Sequence, residues 1–445
     1  MSSILQQHPD PSAPIADYDA GEVPAGHSKV APGEIAVGVV IGRTSENFDF
    51  FVFGIASVMV FPSVFFPFAS RLDGTLMSFA IFAMAFIARP IGTTLFMDIQ
   101  RRMGRGFKLT LALFLLGTST VGMAFLPSYS VLGGGAIVLL AFFRLLQGFA
   151  LGGSWDGLPS LLALNAPAAK RGWYSMLGQL GAPIGFMIAG ALFLFLHGNL
   201  SNDDFMDWGW RYPFFVAFAI NVVALFARLR LVLTEEYTQL LEEGNLEPIG
   251  ITEMLRAQGY NLFIGAFAAL ASYALFHLVT VFPLSWIALN AAQTLDSVLI
   301  VQIIGGALGV LGTIASGMLA DRFGRRNTLG TLAVVIGIFA LFAPWLLGGG
   351  PAAQDAFILI GFALLGISYG QASGTVTANF LARFRYTGAA LTSDFAWLIG
   401  AAFAPLVALS LSVKFGLAAV SVYLISGAAC TLVALRINRA LESRD

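Results

Sequence analysis

The sequence predicts an all-α membrane protein of twelve transmembrane helices in two six-helix bundles, and three observations predict it. The first is composition: 57% of the 445 residues are hydrophobic and 11% charged, with 40 Phe and 49 Gly, and mean hydropathy is +0.81. The second is spacing. Apolar windows close to the ~20 residues that a spanning helix needs recur along almost the whole chain. The third is their division into six and six on either side of a hydrophilic stretch. A transmembrane barrel would alternate polar and apolar residues in ~10-residue strands, and this chain does not.

Residues 1–34 are rich in Ala, Pro and Asp, lack the charged-then-apolar pattern of a cleaved signal, and are expected to form a disordered cytoplasmic tail. The first bundle, 35–231, has spans at about 36–61, 75–97, 108–127, 133–160, 173–196 and 211–231. A cytoplasmic linker, 232–258, contains Thr234-Glu235-Glu236-Tyr237-Thr238-Gln239-Leu240-Leu241-Glu242-Glu243, which suits a short amphipathic surface helix. The second bundle, 259–438, has spans at about 260–284, 296–319, 328–347, 355–380, 387–410 and 414–437, and 439–445 form a second cytoplasmic tail.

Orientation is read from Lys and Arg in the short loops. One side holds Arg101, Arg102, Arg105, Lys108, Lys170, Arg171, Arg228, Arg230 and Arg256, then Arg322, Arg325, Arg326, Arg383, Arg385, Arg436, Arg439 and Arg444. The other holds little beyond Arg71, Arg211 and Lys414. The positive-inside rule then places both termini in the cytoplasm and the chain in the cell inner membrane.

Several function classes are excluded. The formal net charge is -1 with no basic stripe, so nucleic acid is not a partner. Cys430 is the sole cysteine, which leaves no intramolecular disulfide or CxxC metal site. No metal-ligand cluster, nucleotide loop or nucleophile-base constellation is found, so no enzyme activity, cofactor or metal is expected. The expected partners are a small molecule, protons and the lipid bilayer, and the chain is expected to act as a monomer.

The first span holds what the rest surrounds. In Gly42-Arg43-Thr44-Ser45-Glu46-Asn47-Phe48-Asp49-Phe50-Phe51-Val52-Phe53-Gly54, three ionisable groups interrupt an apolar run. A charge near mid-bilayer costs roughly 2.5–3.5 kcal/mol on insertion scales, so such groups face a protein interior or a water-filled cavity. Gly42, Glu46, Asp49 and Phe53 share one helical stripe, with Arg43 on its flank. Asp49 and Glu46 are candidate proton-coupling acids, the alternative for Glu46 being a permanent pair with Arg43. Arg144 lies about 13 Å into span 4 and Glu46 about 15 Å into span 1 from the opposite face, so both are near mid-depth. Arg144 is either the positive partner of these acids or, with Gln147 on the same face, an interhelical brace; Gln147 is also a candidate substrate ligand. Arg43 is a candidate two-point ligand for a carboxylate or phosphonate, or the internal partner of Glu46.

Asp394 in span 11 is a candidate second protonation site, or a hydrated acid near a vestibule. Arg89, before Pro90, reads as a gate or a snorkelling side chain. Asp156 reads as a solvated helix end, and His277, placed near the outer end of span 7, as a satisfied polar contact. Tyr369, Gln371, Thr375 and Asn379, with Gln302 and Gln179, are neutral candidates to hydrogen-bond a substrate or to join helices. Phe48, Phe53 and Trp397 neighbour the acids and are candidate cavity lining.

Residues 100–105, Gln-Arg-Arg-Met-Gly-Arg, recur as Ala320-Asp321-Arg322-Phe323-Gly324-Arg325, each after the second span of its half. The second copy, Gly317-Met318-Leu319-Ala320-Asp321-Arg322-Phe323-Gly324-Arg325-Arg326, resembles the loop motif G-x-L-A-D-R-x-G-R-[RK] of the major facilitator superfamily. The first half is similar to its metabolite:proton symporter branch, which includes proline/betaine, 2-oxoglutarate, shikimate and citrate permeases. That branch carries E-[WY]-[YF]-D-F-x-x-Y-G where this chain has Glu46 to Gly54. Phe86-Ile87-Ala88-Arg89-Pro90-Ile91-Gly92, Arg144-Leu145-Leu146-Gln147-Gly148, Gly152-Gly153-Ser154-Trp155-Asp156-Gly157, Trp208 to Phe215 and Tyr386-Thr387-Gly388 also match, so the resemblance covers nearly all twelve spans.

The resemblance implies alternating access by two rocking bundles, with the site between them at mid-membrane. It implies proton-coupled movement of a small organic acid or zwitterion, symport being preferred to proton-driven export of an organic or drug-like compound. It also assigns the loop residues Arg101, Arg102, Asp321, Arg322 and Arg325, with Arg89, to gating. Three departures bear on this. Arg101 replaces the Asp that braces the halves in relatives, with Asp98 a partial substitute; Ser154 stands where span 4 carries Glu; and Arg43 and Asn47 replace Asn and an aromatic residue.

Overall fold

A computed structural model describes residues 32–155, 157–158, 162, 166–232, 239, 246–290, 293–372 and 380–438. The predicted amphipathic stretch at 234–243, apart from Gln239, lies outside them, as do Asp156, Thr375 and Asn379. Among the described residues every regular element is helical. The main helices are α1 (Pro32–Met59), α2 (Arg71–Met103), α3 (Arg105–Ala124), α4 (Gly134–Gly153), α5 (Arg171–Asn199) and α6 (Tyr212–Val232). A helix at Ile251–Ala268 then leads into α7 (Leu270–Asn290), α8 (Leu295–Phe323), α9 (Arg325–Gly348), α10 (Pro351–Tyr369), α11 (Arg385–Phe415) and α12 (Ala418–Ile437). Eleven of the described helices, α2 to α12, are long and apolar enough to cross a membrane. α1, with 28 residues, is the twelfth by length and is set apart by Arg43, Glu46 and Asp49.

Glycines bring the helices together, as expected in lipid, where close packing substitutes for a hydrophobic drive between helices. α4 crosses α2 with Gly148 and Gly152 four residues apart, and a Cβ on either would run into the α2 backbone at Ala85 or Arg89. The second half repeats the device, since Gly366 of α10 abuts the backbone of Gly309 in α8. Gly148→Ala is therefore expected to lower the melting temperature of the detergent-purified protein, at a cost of about 1–3 kcal/mol for overpacking. Gly134→Ala, where a Cβ meets nothing within 4 Å, should leave the melt unchanged; equal melts for both would refute this account of the crossing.

The halves also share their turns. Gly104 after α2 and Gly324 after α8 adopt φ of 87° and 79°, where a side chain would be strained. Both lie in the two copies of the basic loop, on what is here called the basic face. Between the halves, α5 packs along α8 and α2 meets α11.

Two spans depart from expectation. α4 ends at Gly153 rather than near 160. Span 7, expected at about 260–284, is broken at Ala269 and again at Val281. Pro283 has no N–H to give to Val279 O, four residues earlier. The Gln302 side chain supplies the donor, its Nε2 lying 3.4 Å from Val279 O and 2.7 Å from Thr280 O. Freed carbonyls inside a membrane need such a substitute.

Candidate functional site

The polar centre begins on α1. Glu46, 7% exposed, accepts from Arg43 NH1 through Oε2 at 2.9 Å and from Arg228 NH1 through Oε1 at 2.8 Å. The Ser154 hydroxyl lies 2.9 Å from Oε1, so the serine that replaces the branch glutamate becomes a ligand of another glutamate. Arg228 comes from α6, and its NH2 also donates to Ser154 O at 2.5 Å. It gets there because residue 42 is glycine; a Cβ would stand 3.3 Å from Arg228 Cδ.

Asp49, one turn on, is held differently. Thr120 Oγ1 donates to Oδ2 at 2.7 Å, Asn221 Nδ2 to the same oxygen at 2.9 Å, and Gln147 Nε2 to Oδ1 at 2.8 Å. All three donors are neutral. Ser45 fixes Asn221 by donating to its Oδ1 at 2.6 Å. Gln147 on α4 and Ser154 at its C-terminal cap are seven residues apart, as are Asn221 and Arg228 on α6. That spacing is two turns, so each helix presents one ligand to Asp49 and one to Glu46.

Arg144 is wholly buried. Its NH1 donates to Gln147 Oε1, and its Nε and NH2 to Phe82 O at 3.2 Å. Its guanidinium carbon sits 4.0 Å from the Phe53 ring centre, 4.8 Å from Phe50 and 4.9 Å from Phe82, contacts worth about 2 kcal/mol or more when desolvated. Arg144 thus reaches Asp49 through Gln147. Gln147 joins α4 to α1 in this arrangement, accepting from Arg144 and donating to Asp49.

A second charged contact crosses between the halves. Arg89 Nε of α2 lies 2.7 Å from Asp394 Oδ1 of α11, and Thr93 Oγ1 lies 2.5 Å from Oδ2. Arg89 does not snorkel outward; its side chain is 15% exposed and directed at Asp394. Glu46 and Asp394 both interact electrostatically with Arg43 and Arg89, which makes one charged layer across the seam.

One turn from that layer lies a layer of rings. Trp397 contacts Phe86 and Phe276 at centroid distances of 5.8 and 4.8 Å, and Tyr369 packs on Phe276 at 5.0 Å. Phe50 and Phe51 are the α1 rings that reach the second half, against Trp397 and Phe276. Phe53 lies under Arg144 within the first half, and Phe48 is buried where Gly185 of α5 meets its backbone. Phe48 and Phe53, the sequence candidates for cavity lining, thus each lie two residues from a ring at the seam. Gln302 belongs to the break in α7, and Gln179 sits in the kink of α5 between Leu177 and Gly181. Phe51, Phe186, Phe276 and Tyr369 border a narrow apolar pocket with room for about one water molecule.

The basic face is closed by several contacts. Asp321 accepts from Gly172 N at 2.6 Å and Trp173 N at 3.1 Å, capping the start of α5 from the other half. Arg325 NH2 donates to Ser175 Oγ at 3.1 Å, and Arg322 lies over Phe323. The first-half copy differs: Arg101 and Arg102 both turn back to Asp98, at 2.5 and 3.0 Å. Asp98 is therefore occupied within its own helix rather than bracing across the seam. Buried Lys108 bridges the halves there, touching Trp155 O, Gln100 Oε1 and Tyr386 OH. Among the described residues no group of His, Cys, Asp and Glu is placed to hold a metal ion.

Sequence reasoning missed Arg228, Thr120, Asn221 and Thr93. The charge of Arg228 was counted with the loop cations, and the other three are neutral residues of apolar helices.

The chain is similar to known transporters over nearly its whole length. The family profile described as "Sugar (and other) transporter" matches residues 35–248. The inner membrane metabolite transport protein YhjE of Escherichia coli is 37% identical over 90% of this chain and 93% of its own. The shikimate transporter of the same organism is 31% identical over 88% and 91%. Among solved structures, a D-xylose-proton symporter superposes with a TM-score of 0.69 at 19% identity, covering 92% of this chain and 97% of that one, a likeness of fold. With the relatives' identity and coverage added to the fold, the chain belongs to the major facilitator superfamily, in its metabolite:proton symporter branch, and is a multi-pass membrane transporter rather than an enzyme.

Proposed function

We propose that this protein imports a small organic acid or zwitterion with protons across the bacterial inner membrane, as a monomer with both termini in the cytoplasm. The supporting observation is a contrast within one turn of α1. Glu46 is held between two guanidiniums, whereas Asp49 is held by neutral donors. Asp49 can accept a proton without breaking a direct ion pair, so it is the coupling acid. Arg43 can leave Glu46 for a substrate carboxylate, because Arg228 and Ser154 remain on Oε1, and a guanidinium offers the carboxylate two parallel hydrogen bonds.

Coupling follows from shared supports. α4 and α6 each hold both acids, so protonation at Asp49 is felt at Glu46, and release of Arg43 is felt at Asp49. Movement of Arg43 also changes the field at Asp394, whose contact with Arg89 joins the halves. When that contact parts, the bundles tilt and the centre opens to the basic face.

The test is uptake of labelled organic acids into proteoliposomes under an imposed proton gradient. Accumulation driven by protons moving in the same direction is expected. Extrusion driven by protons moving the opposite way would replace this reading with that of an exporter.

A further inference from the structure

His277 was expected to be a satisfied contact near the outer end of its span. It is instead at the seam, at the depth of Phe50 and Phe86, wholly buried, with Nε2 lacking any hydrogen-bond partner. Its other ring nitrogen is 3.3 Å from Thr280 Oγ1. The imidazole is stacked on Phe50 at 5.6 Å and boxed by Phe82 at 5.1 Å, Phe86 at 6.0 Å, Phe276 at 5.0 Å and Trp397 at 6.1 Å.

We propose that this box is a ring-binding subsite, that the substrate is a ring-bearing carboxylate, and that His277 Nε2 hydrogen-bonds a polar substituent on the ring. The inference rests on the organic-acid reading above and narrows it. A buried nitrogen without a partner is destabilising, and a phenylalanine would fill the same space without that cost. The walls come from both halves, α1 and α2 on one side and α7 and α11 on the other, so the box parts when the bundles tilt. Trp397 opens a π-helical stretch, Trp397–Ala402, a feature frequent at functional sites.

Position sets the ligand's length. Phe86 is three residues from Arg89, Trp397 three from Asp394 and Phe50 four from Glu46. The rings therefore lie about one turn from the charged layer, the reach of a ring with a carboxylate at one end and a polar group at the other. The carboxylate takes Arg43, the ring enters the box, and the substituent meets Nε2. A quaternary ammonium suits aromatic boxes in general, but here Arg144 already lies over Phe50 and Phe82. A second cation would face like charge.

The test is binding to the purified full chain in detergent, read as melting-point shift and by titration. The probes are 4-hydroxybenzoate, benzoate, succinate and glycine betaine. 4-Hydroxybenzoate should bind about tenfold tighter than benzoate, as one added hydrogen bond allows, with the other two weaker still. His277→Phe should keep benzoate binding and the fold, and bring the two ring acids to equal affinity. A ratio unchanged in His277→Phe, or tighter binding of succinate or glycine betaine than of either ring acid, would overturn the proposal. If His277→Phe does not fold, His277→Gln, which keeps a polar group there, must retain part of the preference; its complete loss or full retention overturns it. Gradient-driven accumulation of succinate without ring-acid binding would remove the subsite but leave the transport reading. Ring-acid binding without proton-driven accumulation would do the reverse.

Discussion

Asp49→Asn is expected to abolish accumulation of substrate against its gradient while leaving exchange of substrate across the membrane intact. Asparagine keeps the shape of the carboxylate but cannot take up or release a proton. The pocket can adjust to it: Gln147 still finds an acceptor at Oδ1, Thr120 can turn its hydroxyl to accept rather than donate, and Asn221 can reverse its amide to present Oδ1 while the Ser45 hydroxyl turns to accept from it. The charge of Arg144 loses its nearby opposite, yet its guanidinium retains Phe82 O, Gln147 and three aromatic rings. Folding should therefore survive. The measurement is paired: proton-driven uptake, expected to fall to the level of passive equilibration, and counterflow between loaded vesicles, expected to persist. Uptake at the unmodified level would remove Asp49 from coupling.

The elements of this site differ in how far the sequence reveals them. Arg43, Glu46, Asp49, Arg144, Arg89 and Asp394 are legible because charge in an apolar helix needs a protein partner; who pairs with whom is not. Arg228 sits beside Arg230 at the end of a span, where loop cations are normal, and only the space above Gly42 turns it inward. Adjacency in sequence pointed to Phe48 and Phe53, whereas helical phase brings Phe50 and Phe51 to the seam. Gln302 looks like any polar residue in a membrane helix until Pro283 is seen to break the neighbouring one. The arginine at position 101 is plain in the sequence, but that it turns Asp98 back into its own helix depends on side-chain direction. The fold was the easier part, since twelve apolar windows and a repeated Gly-Arg turn are properties of the chain alone.

Glu46→Gln should have the larger effect on stability. It leaves Arg43 and Arg228 beside a neutral amide, and removing one member of a buried ion cluster typically costs about 3–5 kcal/mol. The variant is expected to melt well below the parent or to fail to purify as a single species. Such a result alone would not separate a structural role from a transport role, but a triple replacement does. In Arg43→Met/Glu46→Leu/Arg228→Met the carboxylate and both guanidiniums that hold it are removed together, and apolar side chains of similar size often replace buried ion clusters without loss of stability. The triple variant should therefore melt closer to the parent than Glu46→Gln does, yet bind no organic acid, since the guanidinium that would hold the carboxylate is gone. If Glu46→Gln melts like the parent, Glu46 is not the counter-charge its two short contacts describe. If the triple variant still binds the acid, the carboxylate is held elsewhere, and Arg43 serves only to keep α1 folded against α6.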